Sequence, residues 1–170
     1  DGRYFGNGVG IGFDAVVGFE ALKIKRLSGY LCYVVAALKT MFLYYKAPTV
    51  QITFNAQTIE IPALMVSIMN GRRMGGGFMM APDGENNDGQ FDVCIADEVG
   101  KATIFALILR FMQGTQASHP AIRIARTNSI AVTALQGTLP AHADGETLCT
   151  EGDRLTIEMH PEMQEILTLE

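Results

Sequence analysis

Apolar residues recur along this 170-residue chain with two different periods. A spacing of three and four residues runs from Gly29 to about Tyr45 and again from Gly100 to Met112. Such a spacing places the apolar side chains on one face of a helix. Ser28 stands before the first run as an N-cap, and Pro48 follows it. The pattern therefore predicts two amphipathic helices.

Elsewhere apolar and polar residues alternate, and β-branched residues are frequent, which is typical of strands. By residue number, the predicted strands are 5–13, 50–54, 58–61, 62–70, 78–81, 90–96, 121–125, 129–134, 148–150, 155–159 and 165–169. Residues 55–57 are a predicted hairpin turn, and the segment between Asp14 and Ser28 is a predicted polar link. Many short strands with two helices indicate a mainly β fold, a β-sandwich or barrel-like domain. We find no repeat and no linker, so we expect residues 1–170 to form a single domain.

Glycine is concentrated in two clusters. The first cluster alternates along the first predicted strand and leaves one strand face as bare backbone; it consists of Gly6, Gly8, Gly10 and Gly12. Such a face indicates close approach of a ligand or of another backbone, with tight sheet packing as the equal alternative. The second cluster, residues 75–77, follows Arg72 and Arg73. Its amides could approach an anion, or the segment could be a mobile turn.

The charge balance excludes some functions. Thirteen basic and eighteen acidic residues give a net charge of −5, which argues against a nucleic-acid-binding protein. The three cysteines, Cys32, Cys94 and Cys149, are far apart among apolar neighbours and indicate reduced core thiols in a cytosolic protein. The histidines lack the spacing to cysteine that a zinc site requires. We therefore expect a cytoplasmic protein.

Carboxylates stand beside glycine at three places. Asp14 follows the alternating glycines, and the loop at residues 82–89 is acidic enough to bind a hard cation through carboxylates and carbonyls. The third place is Asp144-Gly145-Glu146, where one carboxylate could accept a proton and the other could hold a metal. A hairpin turn with solvated acids is the simpler explanation of that Asp-Gly step.

These stretches occur in a recognisable order. The matching segments are GNGVGIGFDA at residues 6–15, RLSGYLCYVVAALK, Asn70 followed by GGGFMMAP, DGQFDV at 88–93 and DGE at 144–146. Together they resemble the C-terminal half of the diacylglycerol kinase catalytic family, which includes bacterial lipid kinases and the sphingosine and ceramide kinases. NAD kinase, which shares the architecture, is a weaker match. The resemblance spans residues 6–146, nearly the whole chain.

The resemblance implies a lipid kinase that transfers the γ-phosphoryl group of ATP to a lipid hydroxyl at the membrane surface. By similarity, Asp144 would be the general base that takes the proton of the lipid hydroxyl. Glu146, with Gly145 beside it, would help hold the Mg²⁺ that bridges the ATP phosphates. Such a division of roles suits phosphoryl transfer, which mostly needs positioning and charge neutralisation.

The resemblance also implies a structural Mg²⁺ in the loop at residues 82–90. Its ligands would be the carboxylate of Asp88 and the backbone carbonyls near Glu85 and Gln90. Family members often have lysine where Glu85 stands, so only the carbonyl of that residue is carried over.

The chain departs from the family in one respect. The glycine-rich nucleotide motif Gly-Gly-Asp-Gly-Thr does not occur in it, nor does the α/β domain that carries this motif. We expect that N-terminal domain to be the partner of this chain in the full protein, and we hypothesise that these 170 residues alone do not phosphorylate lipid.

Several choices stay open at this point. The alternative function is a non-catalytic β-sandwich module that binds a lipid or a protein through the helix at 29–45 and the glycine faces. Peripheral membrane attachment and a homodimer are both left open. So is the lipid, among diacylglycerol, a sphingoid base, ceramide and another alcohol.

Overall fold

The computed structural model describes residues 2–27, 29–43 and 46–160, without the side chain of Leu43. These ranges contain the α-helices α1 (Phe13–Lys23), α2 (Tyr30–Leu43) and α3 (Lys101–Gln113). They contain the strands β1 (Gly8–Gly12), β2 (Thr49–Phe54), β3 (Gln57–Met69), β4 (Arg73–Met74), β5 (Phe78–Met79), β6 (Phe91–Asp97), β7 (Ile122–Thr127), β8 (Ser129–Gln136), β9 (Leu139–Ala143), β10 (Glu146–Gly152) and β11 (Arg154–Glu158). The predicted N-cap Ser28, the predicted helix end at Tyr45 and the predicted strand 165–169 lie outside the described residues.

Two antiparallel sheets share the long strand β3. The first sheet has the order β10-β9-β1-β3-β6-β7, and the second has the order β3-β2-β8-β11. Pro62 lies where β3 leaves the second sheet, because it is paired with Thr49 of β2 and the next residue, Ala63, is paired with Asp97 of β6. A proline is tolerated at such an interruption of the ladder. The hairpin β4–β5 lies outside both sheets.

Two hydrophobic clusters lie on opposite faces of the first sheet. One cluster fills the space between the sheets and includes Val9 and Ile11 of β1. The other lies between the first sheet and the three helices and includes Met65 and Met69 of β3. The glycines of β1 alternate with Val9 and Ile11, so they face the helices. The strand face without side chains is therefore the one that α1 covers.

The mainly β fold is confirmed, but the prediction of only two helices is wrong. The segment after Asp14, predicted as a polar link, forms α1 within the described chain. Its buried residues lie on more than one side, because β9, α2 and the first sheet surround it; they are Phe13, Ala15, Val17, Glu20 and Ala21. A helix covered on several sides has no single apolar stripe, so its sequence does not show the helical period.

Two strand predictions also differ from the structure. The strands predicted at 58–61 and 62–70 are one continuous strand, β3, because the ladder resumes beyond Pro62. Strand β9 was not predicted, since its sequence LPAHA has no long apolar run and contains a proline. Among the described helices, none is long and apolar enough to cross a membrane; the longest, α2, has 14 residues.

Candidate active site

A cavity of about 420 Å³ lies between the first sheet and the helical layer. Most of its wall is apolar and comes from all three helices and from the β4–β5 hairpin; this part includes Phe13, Val17, Tyr33, Ala37, Met74, Phe78, Ile108 and Phe111. Polar side chains also line it, namely Asn7, Asp14, Arg73, His142 and Asp144. An apolar pocket with a few convergent polar groups is the usual form of a ligand site.

Asp144 lies in the tight turn between β9 and β10. Its φ is 48° and that of Gly145 is 87°, as expected for the Asp-Gly hairpin turn. The carboxylate is held by three backbone N–H groups from the segment before and at the start of β1. Gly6 donates to Oδ2 at 2.7 Å, while Asn7 and Gly8 donate to Oδ1 at 3.0 and 2.8 Å. The carboxylate is therefore fixed in orientation at the edge of the cavity.

A carboxylate offers about four acceptor positions, two on each oxygen. The three N–H donors use two positions on Oδ1 and one on Oδ2, so Oδ2 has one position for a further donor. Asn70, which belongs to the matched motifs, supports this arrangement. Its Nδ2 donates to the carbonyl of Gly6 at 2.9 Å, and its own N–H donates to the carbonyl of Asn7 at 2.8 Å.

Glu146 is the first residue of β10 and is exposed. Asp144 and Glu146 thus lie in and directly after a hairpin turn, which is the simpler of the two explanations that the Asp-Gly step allowed. The exposed carboxylate of Glu146 is an oxygen donor of the kind that Mg²⁺ prefers.

A row of side chains crosses the first sheet beneath α1. Ser67 of β3 and His142 of β9 are both paired with Gly10 of β1, one on each side. Asp14, in the first turn of α1, fills the space above Gly10. A Cβ at position 10 would lie only 2.5 Å from Asp14 Oδ2, so the glycine is required for this placement. The close approach that the glycine face indicated is thus made by a carboxylate of this chain.

The two carboxylate oxygens of Asp14 differ in their hydrogen bonding. Ser67 Oγ donates to Asp14 Oδ2 at 2.9 Å, while Oδ1 is buried and has no hydrogen-bond partner among the described residues. Burial raises the pKa of Asp14, and the nearby charge of His142, the Ser67 hydroxyl and the Ala15 backbone oppose that rise. A carboxyl with a raised pKa that lines an apolar cavity is a candidate functional group.

Two of these residues were not predicted as site residues. His142 was noted only as lacking zinc-ligand spacing, and Ser67 lies inside an apolar strand. The alternating glycines were the available signal, because a strand face without side chains leaves room for groups from other elements to approach closely. Cys94, next to Ser67 across the sheet, is not a nucleophile candidate, since burial, together with Asp14, raises its pKa to about 12.

We expect the Asp14→Asn variant to be more stable than the wild-type chain at neutral pH. A raised pKa means that the folded state binds the proton more readily, so folding stability falls as pH rises from the ordinary value of 3.8 through the raised value. Asparagine keeps the size of the side chain and can still accept from Ser67. The unfolding midpoint should therefore be higher in the variant at neutral pH, and this advantage should disappear below pH 3.8.

Thermal unfolding at a series of pH values measures this difference. Asp153→Asn is the matched control, because Asp153 is exposed and outside the cavity. A midpoint for Asp14→Asn that is below that of the wild type at neutral pH would contradict the assigned burial effect.

The glycine loop at 75–77 joins β4 to β5 against α2. A Cβ on Gly77 would lie 2.4 Å from the ring of Tyr30, and one on Gly75 would lie 3.1 Å from the ring of Tyr33. Phe78 packs against Tyr30 with ring centroids 5.3 Å apart. The close approach that these two glycines permit is to aromatic rings, and it places the hairpin as one wall of the cavity.

The acidic loop at 82–90 does not have the arrangement of a cation site. Asp88 forms an ion pair with Arg126 through Oδ2, and its Oδ1 accepts from the Gln90 N–H at 2.9 Å. Arg126 also donates to Asp92 at 3.1 Å. Glu85 and Gln90 are exposed, and the described residues contain no group of three or more His, Cys, Asp or Glu side chains that could hold a metal ion.

A second guanidinium also binds this loop. Arg72 Nε donates to the carbonyl of Gly84 at 2.7 Å, so at least one loop carbonyl is already bound to a cationic side chain. The residues in this arrangement do not fit the structural Mg²⁺ that the resemblance implies. The metal ligands Asp88, Glu85 and Gln90 that the resemblance implies stay a prediction.

We expect the Arg126→Ala variant to lose about 2 kcal/mol of folding stability, because it leaves two partly buried carboxylates, Asp88 and Asp92, without their cation. Denaturant unfolding measures this loss. Arg123→Ala is the matched control, since Arg123 is half-exposed and forms its ion pair with a single carboxylate, that of Asp97, among the described residues; its loss should cost less than about 1 kcal/mol. Chelation by EDTA should leave the wild-type midpoint unchanged. A marked fall with EDTA would show that a cation does stabilise the loop.

The model of the YegS C-terminal NAD kinase beta sandwich-like domain matches residues 7–168. The chain belongs to this family. The resemblance that the sequence motifs indicated is thereby confirmed at the level of the family.

Two proteins that are similar to this chain in sequence are named diacylglycerol kinase. The chain is 21% identical over 147 residues to proteins named diacylglycerol kinase from two Mycobacterium tuberculosis strains, CDC 1551 / Oshkosh and ATCC 25618 / H37Rv. The match covers 86% of this chain and 47% of those proteins, so the chain spans about half the length of the curated relatives it matches.

Solved structures have the same fold. The crystal structure of a diacylglycerol kinase from Bacillus anthracis str. Sterne is 19% identical with a TM-score of 0.57, and the match covers 94% of this chain and 48% of that chain. Another structure from the same strain is 20% identical with a TM-score of 0.64, covering 95% of this chain and 54% of that chain. At these identities the likeness shows the fold alone.

Proposed function

We propose that this chain is the substrate and catalytic-base domain of an ATP- and Mg²⁺-dependent lipid kinase, which transfers the γ-phosphoryl group of ATP to a lipid hydroxyl. The observation that carries the proposal is Asp144, whose carboxylate is fixed by three backbone N–H groups at the edge of a largely apolar cavity. Membership of the YegS C-terminal domain family and the relatives named diacylglycerol kinase support it.

The cavity and Asp144 would act together. The apolar wall holds the hydrocarbon part of the lipid, so that its hydroxyl lies at the polar edge. The hydroxyl donates to the remaining acceptor position of Asp144 Oδ2, and this carboxylate takes the proton as the oxygen attacks the γ-phosphorus of ATP. The three N–H donors keep the carboxylate from turning away, which is the positioning that phosphoryl transfer needs.

Glu146 would hold the Mg²⁺ that arrives with ATP. Its carboxylate is exposed beside the Asp144 turn, so it is open to a hydrated cation without rearrangement of the fold. The metal supplies positive charge that neutralises the phosphate oxygens.

The lipid would reach the cavity from a membrane surface. Leu22 of α1 lines the cavity and is 68% exposed, and Leu31 of α2 is 64% exposed. The exposed cationic residues Lys25 and Arg26 lie between the two helices in the chain. An apolar surface flanked by cations, continuous with the cavity, suits an anionic membrane in the cytoplasm. We propose peripheral attachment here and not a homodimer contact.

We expect the Leu31→Ser variant to bind anionic vesicles several-fold more weakly than the wild-type protein, because a large exposed apolar side chain is lost without a change in charge. Co-sedimentation with phosphatidylserine vesicles measures the binding. Leu135→Ser is the matched control, since Leu135 is exposed on β8, away from the helices. Equal loss in both variants would contradict the proposed membrane surface.

The test of the lipid kinase proposal is a screen with labelled ATP. The natural protein that contains this chain, together with the nucleotide-binding domain that we propose as its partner, is incubated with Mg²⁺ and a set of lipid alcohols. Incorporation of label into a lipid supports the proposal. A protein that binds lipid but phosphorylates none of them would favour the non-catalytic module.

A further inference from the structure

Arg73 is the one lysine or arginine among the described residues that line the cavity, and neither the proposed proton transfer nor the comparisons give it a role. It lies in β4 and is exposed. Its guanidinium forms no ion pair with a carboxylate of the described residues. Its Nη1 donates to the carbonyl of Gly77 at 3.4 Å, which is long for a hydrogen bond. The positive charge of Arg73 is therefore available to an anion in the cavity.

The neighbouring Arg72 has a structural contact of the kind that Arg73 lacks. Arg72 Nε donates to the carbonyl of Gly84 at 2.7 Å, so this guanidinium is held against the loop at residues 82–90. Arg72 does not line the cavity, whereas Arg73 does. The two consecutive arginines thus serve different parts of the molecule, and only the second belongs to the site.

Asn7 joins the backbone of Arg73 to the carboxylate of Asp144. The Asn7 N–H donates to Asp144 Oδ1 at 3.0 Å, and Asn7 Nδ2 donates to the carbonyl of Arg73 at 3.0 Å. Gly71 is needed for this bridge, because a Cβ at position 71 would overlap with Asn7 Oδ1. A single residue therefore holds the proposed base and the start of β4 side by side at one edge of the cavity.

The proposed reaction brings a second anion to this edge. The phosphates of ATP would approach the carboxylate of Asp144, and like charges repel each other. The metal proposed at Glu146 offsets part of this repulsion, and a cationic side chain at the same edge offsets more. A guanidinium suits a phosphoryl group, because its paired N–H donors match the spacing of two phosphate oxygens.

We infer that Arg73 is a second catalytic residue of this edge, whose guanidinium binds the phosphoryl group as it passes from ATP to the lipid. The inference rests on the proposed function for the role of Asp144. The lipid oxygen forms a bond to the γ-phosphorus, the bond from that phosphorus to the β,γ-bridging oxygen breaks with its electron pair going to ADP, and the hydroxyl proton goes to Asp144. Arg73 exchanges no proton; it donates hydrogen bonds to the phosphoryl oxygens, where the charge of the transition state lies. After transfer, the same bonds hold the phosphate of the lipid product.

The first test measures phosphate binding without catalysis. Calorimetry compares octyl phosphate, a small analogue of the lipid product, with 1-octanol as ligands of the natural protein that contains this chain. We expect Arg73→Gln to bind octyl phosphate at least about 10-fold more weakly than the wild type, because charge-assisted hydrogen bonds are lost. The affinity for 1-octanol should be unchanged, since the apolar wall stays intact. Equal affinity of both proteins for octyl phosphate would overturn the inference.

The second test measures turnover of the lipid alcohol that the screen with labelled ATP identifies. Arg73→Gln should lower kcat by about 10²–10³-fold, the loss expected when a donor to the developing charge is removed, with the KM for lipid within about twofold of the wild type. Arg73→Lys should have an intermediate kcat, because lysine keeps the charge but not the paired donors. A wild-type kcat in Arg73→Gln would overturn the catalytic role.

Arg154→Gln is the matched control, because it removes the same charge from an exposed position on β11, outside the cavity. It should keep wild-type values in both tests. Thermal unfolding should give the same midpoint for Arg73→Gln as for the wild type, since the substituted side chain is exposed.

The two tests together separate this inference from the proposed function. A loss of turnover in Arg73→Gln with wild-type binding of octyl phosphate would overturn the direct contact with the phosphoryl group. A protein that binds octyl phosphate through Arg73 but phosphorylates no lipid would overturn the proposed kinase function and leave Arg73 standing as a phosphate-binding residue.

Discussion

The Asp144→Asn variant of the natural protein should lose lipid phosphorylation by about 10²–10⁴-fold in kcat, the range that a general base contributes. Asparagine has the shape of aspartate but cannot take a proton from the lipid hydroxyl. It also has only one acceptor oxygen, so its NH₂ group would meet at least one of the N–H groups that now bind Asp144. The remaining lipid affinity should be close to that of the wild type, because the apolar wall of the cavity is unchanged. Initial rates with labelled ATP, beside calorimetric binding of the lipid, give both quantities.

Asp153→Asn is the control for this variant, since it removes the same charge at an exposed position in the turn after β10. It should keep wild-type rates. Circular dichroism should show the same strand content in all three proteins, because Asp144 is at an exposed turn and not in either core. Wild-type turnover in Asp144→Asn would contradict the assignment of Asp144 as the general base. Loss of both turnover and fold would show that the carboxylate only holds the start of β1 in place.

The fold could be predicted from the sequence wherever one side of an element is apolar. Helix α3 buries Ile104, Leu107, Ile108 and Phe111 on one face, which is the stripe that the sequence shows. Helix α1 is packed on several sides, so its apolar residues follow no single stripe and its Gly18 weakens the helical signal further. Strand β3 is continuous through Pro62 because it changes its pairing partner there, from β2 to β6. This change depends on strands that are distant in the sequence, so the local sequence pattern does not show it.

The sequence predicted the site residues that belong to short sequence motifs, but not those that strand pairing brings together. Asp144 and Glu146 were found from their order along the chain with the glycine stretches. His142 and Ser67 were not, because their relation to Asp14 depends on the pairing of β3, β1 and β9. These strands are far apart in the sequence. The ion pair between Asp88 and Arg126 could not be predicted for the same reason, because Arg126 reaches the acidic loop only through the position of β7 in the sheet.

Gly12→Ala should be the most damaging glycine substitution in the glycine-rich strand. Gly12 has φ 89° and ψ −130°, a region that residues with a Cβ rarely adopt, and it joins β1 directly to α1. A Cβ there would lie 2.8 Å from the carbonyl oxygen of Leu64. Because that atom is backbone within β3, it cannot move aside without breaking the ladder. We expect a loss of about 3 kcal/mol, or about 6–12 °C in Tm, measured by denaturant and thermal unfolding.

Gly18→Ala provides the opposite case in the adjoining helix. Gly18 lies inside α1, and a Cβ there would meet only His142 Cδ2, at an ordinary contact distance of 3.7 Å. Alanine is the better helix former, so this variant should gain about 0.5–1 kcal/mol. The two substitutions add the same methyl group six residues apart, and their opposite signs would show that position 12 is kept as glycine by backbone geometry. Equal stability of both variants would mean that the junction of β1 and α1 can relax, and with it the position of Asp14 above Gly10.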